Sequence, residues 1–422
     1  MKYILAFGVM TVATAVSAES VYLTADRMVD VEAGRVVVRP AIVVTDGRIT
    51  AIGTQANLAV PAGAKQINLA GKTLLPGLID MHVHLDSSPK YGGYSGLEFT
   101  DSFWQAQATA NAKAMLMAGF TTVRNVGSEN YNDVGLKQAV QEGIIQGPRI
   151  VPAAYAIGAT GGHCDSTYFP PSFNQKSRAV GDSADELRQR VKEQRKYGAE
   201  VIKICATGGV FSRNTEPGQQ QLSESDMRAL ADEAHMWGLK VAAHAHGTAG
   251  IKAAIKAGID TIEHASIIDD EGIRLAKERG TYLSMDIYNT DYTQSEGKKN
   301  GVLEDNLRKD REIAEVQREG FRKAVKAGVK MVFATDAGVM PHADAGKQFA
   351  TMIKYGMTPM QAIQSATSVA AEALGRAKDI GAIAVGRYAD IIAVEGDPIS
   401  TVRALESPSF VMKGGVVMKS GD

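Results

Sequence analysis

Short apolar runs recur through the middle of the chain, at 78–84, 121–126, 150–157, 200–206, 240–244, 261–264, 282–287 and 331–335. Their lengths suit buried strands rather than helices. Between them lie Ala-rich amphipathic stretches of helical period, at 102–117, 184–197, 224–237, 248–257 and 310–327. Gly119, Gly198, Gly238, Gly258, Gly280 and Gly328 each stand just before the next run. Glycine there tolerates the left-handed backbone that closes a helix. Eight strand-to-helix units of this kind predict an α/β fold, a (β/α)8 TIM-like barrel whose functional face lies at the strand C-termini. Thr358-Pro359 then reads as an N-cap followed by Pro, opening a helix that runs to about Leu374 and ends at Gly375.

The two ends of the chain follow a different period. From Val21 to about Leu75, β-rich runs alternate with turns, including Asp46-Gly47 between 41–44 and 49–53. The far end repeats this at 390–394 and 411–418, the latter folded at Gly414-Gly415. The expected organisation is therefore a small β-sandwich domain from 19–76 and 377–422 enclosing a barrel of 77–376. Residues 1–18 have the form of a secretory signal peptide: Lys2, a short apolar run, then Val16 and Ala18 where a signal peptidase reads small residues. That run is too short to span a bilayer, so a secreted or periplasmic protein without a membrane span is expected.

Composition narrows the partners. A net charge of −1 gives no bulk attraction to nucleic acid or anionic membranes, which leaves a small molecule or peptide. The two cysteines, Cys164 and Cys205, exclude a disulfide framework. They could pair in an oxidising compartment if folding made them neighbours, but two unpaired thiols are expected.

The chemistry gathers at the strand ends. His82 and His84 share one face of the first strand, because residues two apart on a strand point the same way. Lys203 sits on the fourth strand, His244 on the fifth, His264 on the sixth, and Asp336 follows the eighth. Imidazole and carboxylate suit a divalent cation, with zinc favoured by histidine-rich sets. Lys203 lies among Val201, Ile202 and Ile204, where a lone ammonium is expensive. It would either pair with a carboxylate or react with carbon dioxide to form an anionic carbamate.

These residues fall in motifs: 76–84 (PGLIDMHVH), 119–124 (GFTTVR), 161–163 (GGH), 201–204 (VIKI), 244–247 (HAHG), 262–264 (IEH), 335–338 (TDAG) and 386–391 (GRYADI). Together they resemble the amidohydrolase superfamily, in its branch of imidazolonepropionase-like and prolidase-like metal peptidases. The resemblance implies a binuclear centre: one Zn2+ on His82, His84 and Asp336, a second on His244 and His264, and carboxylated Lys203 bridging them. It further implies a metal-bridging hydroxide as nucleophile, with Asp336 passing its proton to the leaving amine and His163 hydrogen-bonding the substrate near its carbonyl. A loop-capping role is the alternative for His163. His246 stands where relatives carry a Tyr that holds the tetrahedral oxygen, and an ordinary surface histidine is the other reading. A homo-oligomer, possible as an octamer, is also implied.

That branch cleaves an amide to a C-terminal amino acid, so a carboxylate-binding element is needed. Segment 208–213, with Val210 and Arg213, offers backbone N–H groups and a guanidinium. Tyr288, Tyr292 and Met340 suit an aromatic or aliphatic leaving group, whereas Asp286 would favour Arg or Lys. These loops are also similar to those of bacterial amidohydrolases acting on ochratoxin, an acyl group on phenylalanine. A carboxypeptidase-like amidase is therefore expected, with ochratoxin A as a plausible substrate. A cyclic amide or lactone hydrolase of imidazolonepropionase type is the alternative, and a non-enzymatic binding protein would have lost ligands that are all present here.

Overall fold

The structure, a computed structural model, describes residues 20–421. The expected signal peptide lies outside the described residues. The N-terminal strands are β1 (Ser20–Asp30), β2 (Arg35–Val38), β3 (Pro40–Thr45), β4 (Arg48–Thr54) and β5 (Lys65–Pro76). Eight barrel strands follow: β6 (Leu78–Val83), β7 (Phe120–Asn125), β8 (Arg149–Pro152), β9 (Val201–Cys205), β10 (Lys240–Ala245), β11 (Thr261–His264), β12 (Tyr282–Ser284) and β13 (Met331–Val332). Strands β14 (Ile391–Glu395), β15 (Phe410–Lys413) and β16 (Val416–Ser420) complete the chain.

Strands β6 to β8 and β9 to β13 form two parallel sheets. Irregular segments join them into a closed barrel. On one side Ile157 bridges to Ile204, and on the other Val83 pairs with Ala337 while Met81 N–H donates to Phe333 O at 2.9 Å. The six glycines expected to end helices all have positive φ, between 70° and 110°. Each returns the chain to the barrel through a conformation that a Cβ would disfavour.

The helix expected from Pro359 to about Leu374 is instead two, Pro359–Ser365 and Ser368–Ala373, broken at Thr367 (φ −138°). The break has a cause in the barrel wall. The Ser365 and Ala366 carbonyls accept from Phe333 N–H at 2.9 Å and Ile79 N–H at 2.8 Å, bonds that a continuous helix would keep for itself.

The terminal strands build one hydrogen-bonded sheet in the order β16-β15-β14-β5-β1-β3-β4, with β2 on β1. Its interior gathers Leu23, Ile42 and Ile49 from one end with Ile391, Phe410 and Met412 from the other. The sheet thus closes on itself as a β-sandwich. The turns sit at Asp46-Gly47 (φ 52° and 76°) and Gly414-Gly415 (φ 55° and 79°), the left-handed pairs that two-residue hairpins need. Among the described residues, no helix is long and apolar enough to cross a membrane.

Candidate metal centre

A cavity of about 300 Å³ opens at the C-terminal mouth of the barrel, and His82, His84, Lys203, His244, His264 and Asp336 all line it. With His246 and Asp286, which also line it, the histidines and Asp336 fall into overlapping groups whose ligand atoms lie within 4.8 Å: His82, His84 and Asp336; His244, His246 and His264; and His264, Asp286 and Asp336. His82 Nε2 and His84 Nε2 stand 3.4 and 3.5 Å from Asp336 Oδ1. Two donors at about 2.1 Å from one zinc ion, at a tetrahedral angle, would stand about 3.4 Å apart. The spacing fits a shared cation.

Two of these residues reach the mouth only by leaving regular strand geometry. Strand alternation would send His264 to the face opposite Glu263. Left-handed backbone at His264 (φ 65°) and Ala265 (φ 47°) turns it inward instead, and its ring lies 4.8 Å from that of His82. Asp336 is also left-handed (φ 55°), with its N–H tied to His82 O at 2.9 Å.

Each imidazole is fixed through one nitrogen, which leaves the other free. His82 Nδ1 donates to Glu263 Oε2 at 2.8 Å, His84 Nδ1 to Gly127 O at 3.1 Å, and His264 Nδ1 to Asp286 Oδ1 at 2.9 Å. His244 donates from Nε2 to Gly208 O at 3.1 Å, and His246 Nδ1 bonds Ser266 Oγ at 2.7 Å. Such outer partners set the tautomer and aim the metal-binding nitrogen. Burial holds His82, His84, His244 and His246 below the usual imidazole range, neutral and ready to ligate. Burial also opposes charge on His264, but Asp286 outweighs it and raises that imidazole. Asp336 is raised, chiefly by burial.

Lys203 is 3% exposed, and its amine has no hydrogen bond or ion pair within 4.0 Å among the described residues. Burial pushes its amine down to about 8. The carboxylate-paired reading of Lys203 therefore finds no partner, while the His and Asp groups that share its cavity could hold a metal ion.

Sequence reading missed the charges behind the ligands. Glu263, fully buried, accepts from His82 and from Arg124 Nη2 at 2.6 Å. Arg124 also donates to Met81 O at 2.5 Å and Thr261 Oγ1 at 2.8 Å. The available signal was an Arg among the inward residues of 119–124 and a Glu beside His264, both inside strands that are otherwise apolar or neutral.

His163 lies in the cavity wall. Its ring stacks on His244 at 4.1 Å, and its Nδ1 meets Ser212 Oγ at 2.9 Å. Burial pushes it down to about 3. Val210 and Asp286 also line the cavity, but Arg213, Tyr288 and Met340 do not. Arg213 turns outward to Tyr94 Oη at 2.6 Å, Met340 is packed in the core, and Tyr288 begins the helix Asn289–Glu296. Asp286 is committed as well: besides His264 it accepts from Asn289 Nδ2 at 2.5 Å and Gln317 Nε2 at 3.1 Å. Both of its oxygens are therefore engaged by neighbouring side chains, which holds the carboxylate against His264 rather than presenting it to a basic leaving group. The expectation of unpaired thiols is overturned too, because Cys164 and Cys205 form a disulfide with their Cα atoms 5.8 Å apart. The barrel brings the His163 loop onto β9, which spacing in the sequence does not reveal.

Residues 73–418 match the amidohydrolase family. The chain is 29% identical over 402 residues to an ochratoxinase of Aspergillus niger, covering 90% of this chain and 82% of that protein. Among solved structures, it is similar to a Xaa-Pro dipeptidase with methionine bound in its active site (TM-score 0.90, 33% identity, 95% of this chain and 100% of that one). A prolidase in complex with N-methylphosphonate-L-proline is also similar (TM-score 0.87, 30% identity, 95% and 100%).

Proposed function

The chain belongs to the amidohydrolase family, and on that premise we propose that it cleaves the amide bond to a C-terminal amino acid. Its substrates would be dipeptides and N-acyl amino acids, ochratoxin A included. The observation that carries this reading is the unpartnered Lys203 amine in the wall of the cavity that two groups of fixed, metal-ready ligands also line. His82, His84 and Asp336 would hold one divalent cation, His244 and His264 the second, and carboxylated Lys203 would bridge them, with Zn2+ favoured by the histidine content. Two such ions, when bound, lower the pKa of water and polarise a carbonyl.

The remaining steps fall to the chain itself. Asp336, raised by burial and within reach of Asn289 Nδ2 at 3.4 Å, takes the proton of the attacking water and returns it to the leaving amine. His163, neutral and held through Nδ1, presents Nε2 to the substrate carbonyl. His246, set by Ser266 beside the second group, is placed to steady the tetrahedral oxygen.

The substrate carboxylate meets no Arg in this wall, where Lys203 is the one Lys or Arg among the described residues. We assign its capture to the backbone N–H groups of Val210 and Phe211. Both residues line the cavity, and neither N–H donates to a protein acceptor among the described residues. The similarity to an ochratoxinase and to a Xaa-Pro dipeptidase supports this substrate class. The disulfide supports export to an oxidising compartment.

The test is amino-acid release by zinc-loaded enzyme over a panel of Xaa-Phe, Xaa-Leu, Xaa-Lys and Xaa-Pro dipeptides, N-acyl amino acids and ochratoxin A, with cyclic imides and lactones alongside. Release from the linear amides is expected. Turnover confined to the cyclic compounds would overturn the proposal.

A further inference from the structure

Both cysteines of the chain lie in the wall of the candidate active site. Cys205 ends β9, two residues beyond Lys203 and on the same face of the strand. Cys164 directly follows His163 in a stretch with no helix or strand longer than one turn, between β8 and the helix Ala184–Lys196. The disulfide therefore ties the His163 loop to the strand that carries the bridging lysine.

The other restraints on His163 are weak by comparison. Its N–H donates to Gln221 Oε1 at 2.9 Å and its ring meets Ser212 Oγ. It packs where Gly209 has no side chain: a Cβ there would come within 2.3 Å of the ring. Cys164 is similarly seated against Gly158, whose absent Cβ would lie 2.7 Å from its own. Two glycine gaps and one covalent bond thus converge on a single imidazole.

We propose that the Cys164–Cys205 disulfide is a positioning clamp for His163, so that catalysis depends on its oxidation. This rests on the reading of His163 as the residue that contacts the substrate carbonyl. Reduction by a phosphine would break the S–S bond, leaving two thiols and a phosphine oxide whose oxygen comes from water. Since the chain has no third cysteine, the freed thiols can re-form only the same bond within one chain. Lengthening the tether on His163 costs rate through misplacement, for which a shift of about 1 Å is worth up to about 100-fold.

The experiment compares full-length, metal-loaded enzyme before and after treatment with tris(2-carboxyethyl)phosphine, together with Cys164→Ser/Cys205→Ser and His163→Asn. Readouts are thiol alkylation, metal content, kcat and KM, and the rate at which diethyl pyrocarbonate modifies His163, followed by peptide mass spectrometry. The native protein is expected to show no alkylatable thiol. Reduction should lower kcat by about 10-fold or more with KM and metal content little changed, and should speed modification of His163. The double serine variant should match the reduced enzyme, and reduction should cost nothing further in the His163→Asn background. Two free thiols in the native protein, an unchanged kcat and His163 labelling rate, or an equal loss with and without His163 would each overturn the clamp. If no amide of the panel is turned over, the proposed function fails, and the His163 labelling rate alone still decides the clamp.

Discussion

Replacing Glu263 with Gln tests whether the charges behind the ligands set the centre. The carboxylate is fully buried between Arg124 Nη2 at 2.6 Å and His82 Nδ1 at 2.8 Å. Gln fills the same volume and keeps one oxygen, but it leaves the Arg124 guanidinium, 1% exposed, without its counter-charge. Removing one partner of a buried pair costs about 3–5 kcal/mol. With unfolding entropy of about 2.1 cal/mol/K per residue over about 400 residues, that loss lowers Tm by about 4–6 °C. His82 also loses the acceptor that aims its Nε2, and losses of this kind weaken metal binding by about 10- to 100-fold. Scanning calorimetry of the metal-free protein and chelator competition for Zn2+ measure the two effects separately. Adding Arg124→Met should recover much of the thermal loss and none of the metal affinity. The stability gap also depends on pH. Burial alone would raise Glu263, but Arg124 and His82 hold it well below the usual range. Its contribution is therefore present above about 4.3, the unfolded value, and is lost as pH falls through the folded one. A Glu263→Gln protein that melts with wild type and binds Zn2+ equally well would refute the reasoning.

Lys203→Ala should abolish turnover and lower metal content. In wild type, reactivation of metal-stripped enzyme should quicken with added bicarbonate and as pH rises through about 8, where the buried amine loses its proton; activation indifferent to both would exclude the carbamate. Gly209→Ala would place a methyl group 2.3 Å from the His163 ring, so kcat should drop by about 10- to 100-fold with metal content retained. Because His163 is held down to about 3, its substitution by Asn should lower kcat/KM evenly across neutral pH without removing the acid limb of the profile.

The architecture was legible because its signals are local. All eight expected barrel strands have counterparts in β6 to β13, and every glycine singled out at a helix end has positive φ. The convergence of His82, His84, Lys203, His244, His264 and Asp336 followed from that topology, since strand ends of one barrel share one mouth. What was not legible depends on contacts across the barrel. Arg124 and Glu263 lie 139 residues apart, and each alone reads as a stray charge in a strand. Asp286 looked available for substrate because nothing in its neighbourhood shows that Asn289 and Gln317 would occupy it. Arg213 and the cysteines failed for the same reason: loop direction is set by packing between segments far apart in sequence.

Three departures from regular geometry fall where the candidate chemistry lies. His264, Ala265 and Asp336 are non-glycine residues in the left-handed region, each at a cost of about 1–3 kcal/mol that regular strands avoid. Ordinary alternation would put either Glu263 or His264 into the barrel, but not both. The left-handed turn resolves that conflict: Glu263 stays inside to hold His82, and the next residue still reaches the mouth. Glycine at 265 would relieve the strain, yet it would also widen the conformations open to His264. The bonds from Asp286 and Gln317, the latter donating to His264 O at 3.1 Å, restrain both the ring and the backbone of that residue. The strain and these bonds therefore serve one purpose, an imidazole whose direction is fixed before any cation arrives.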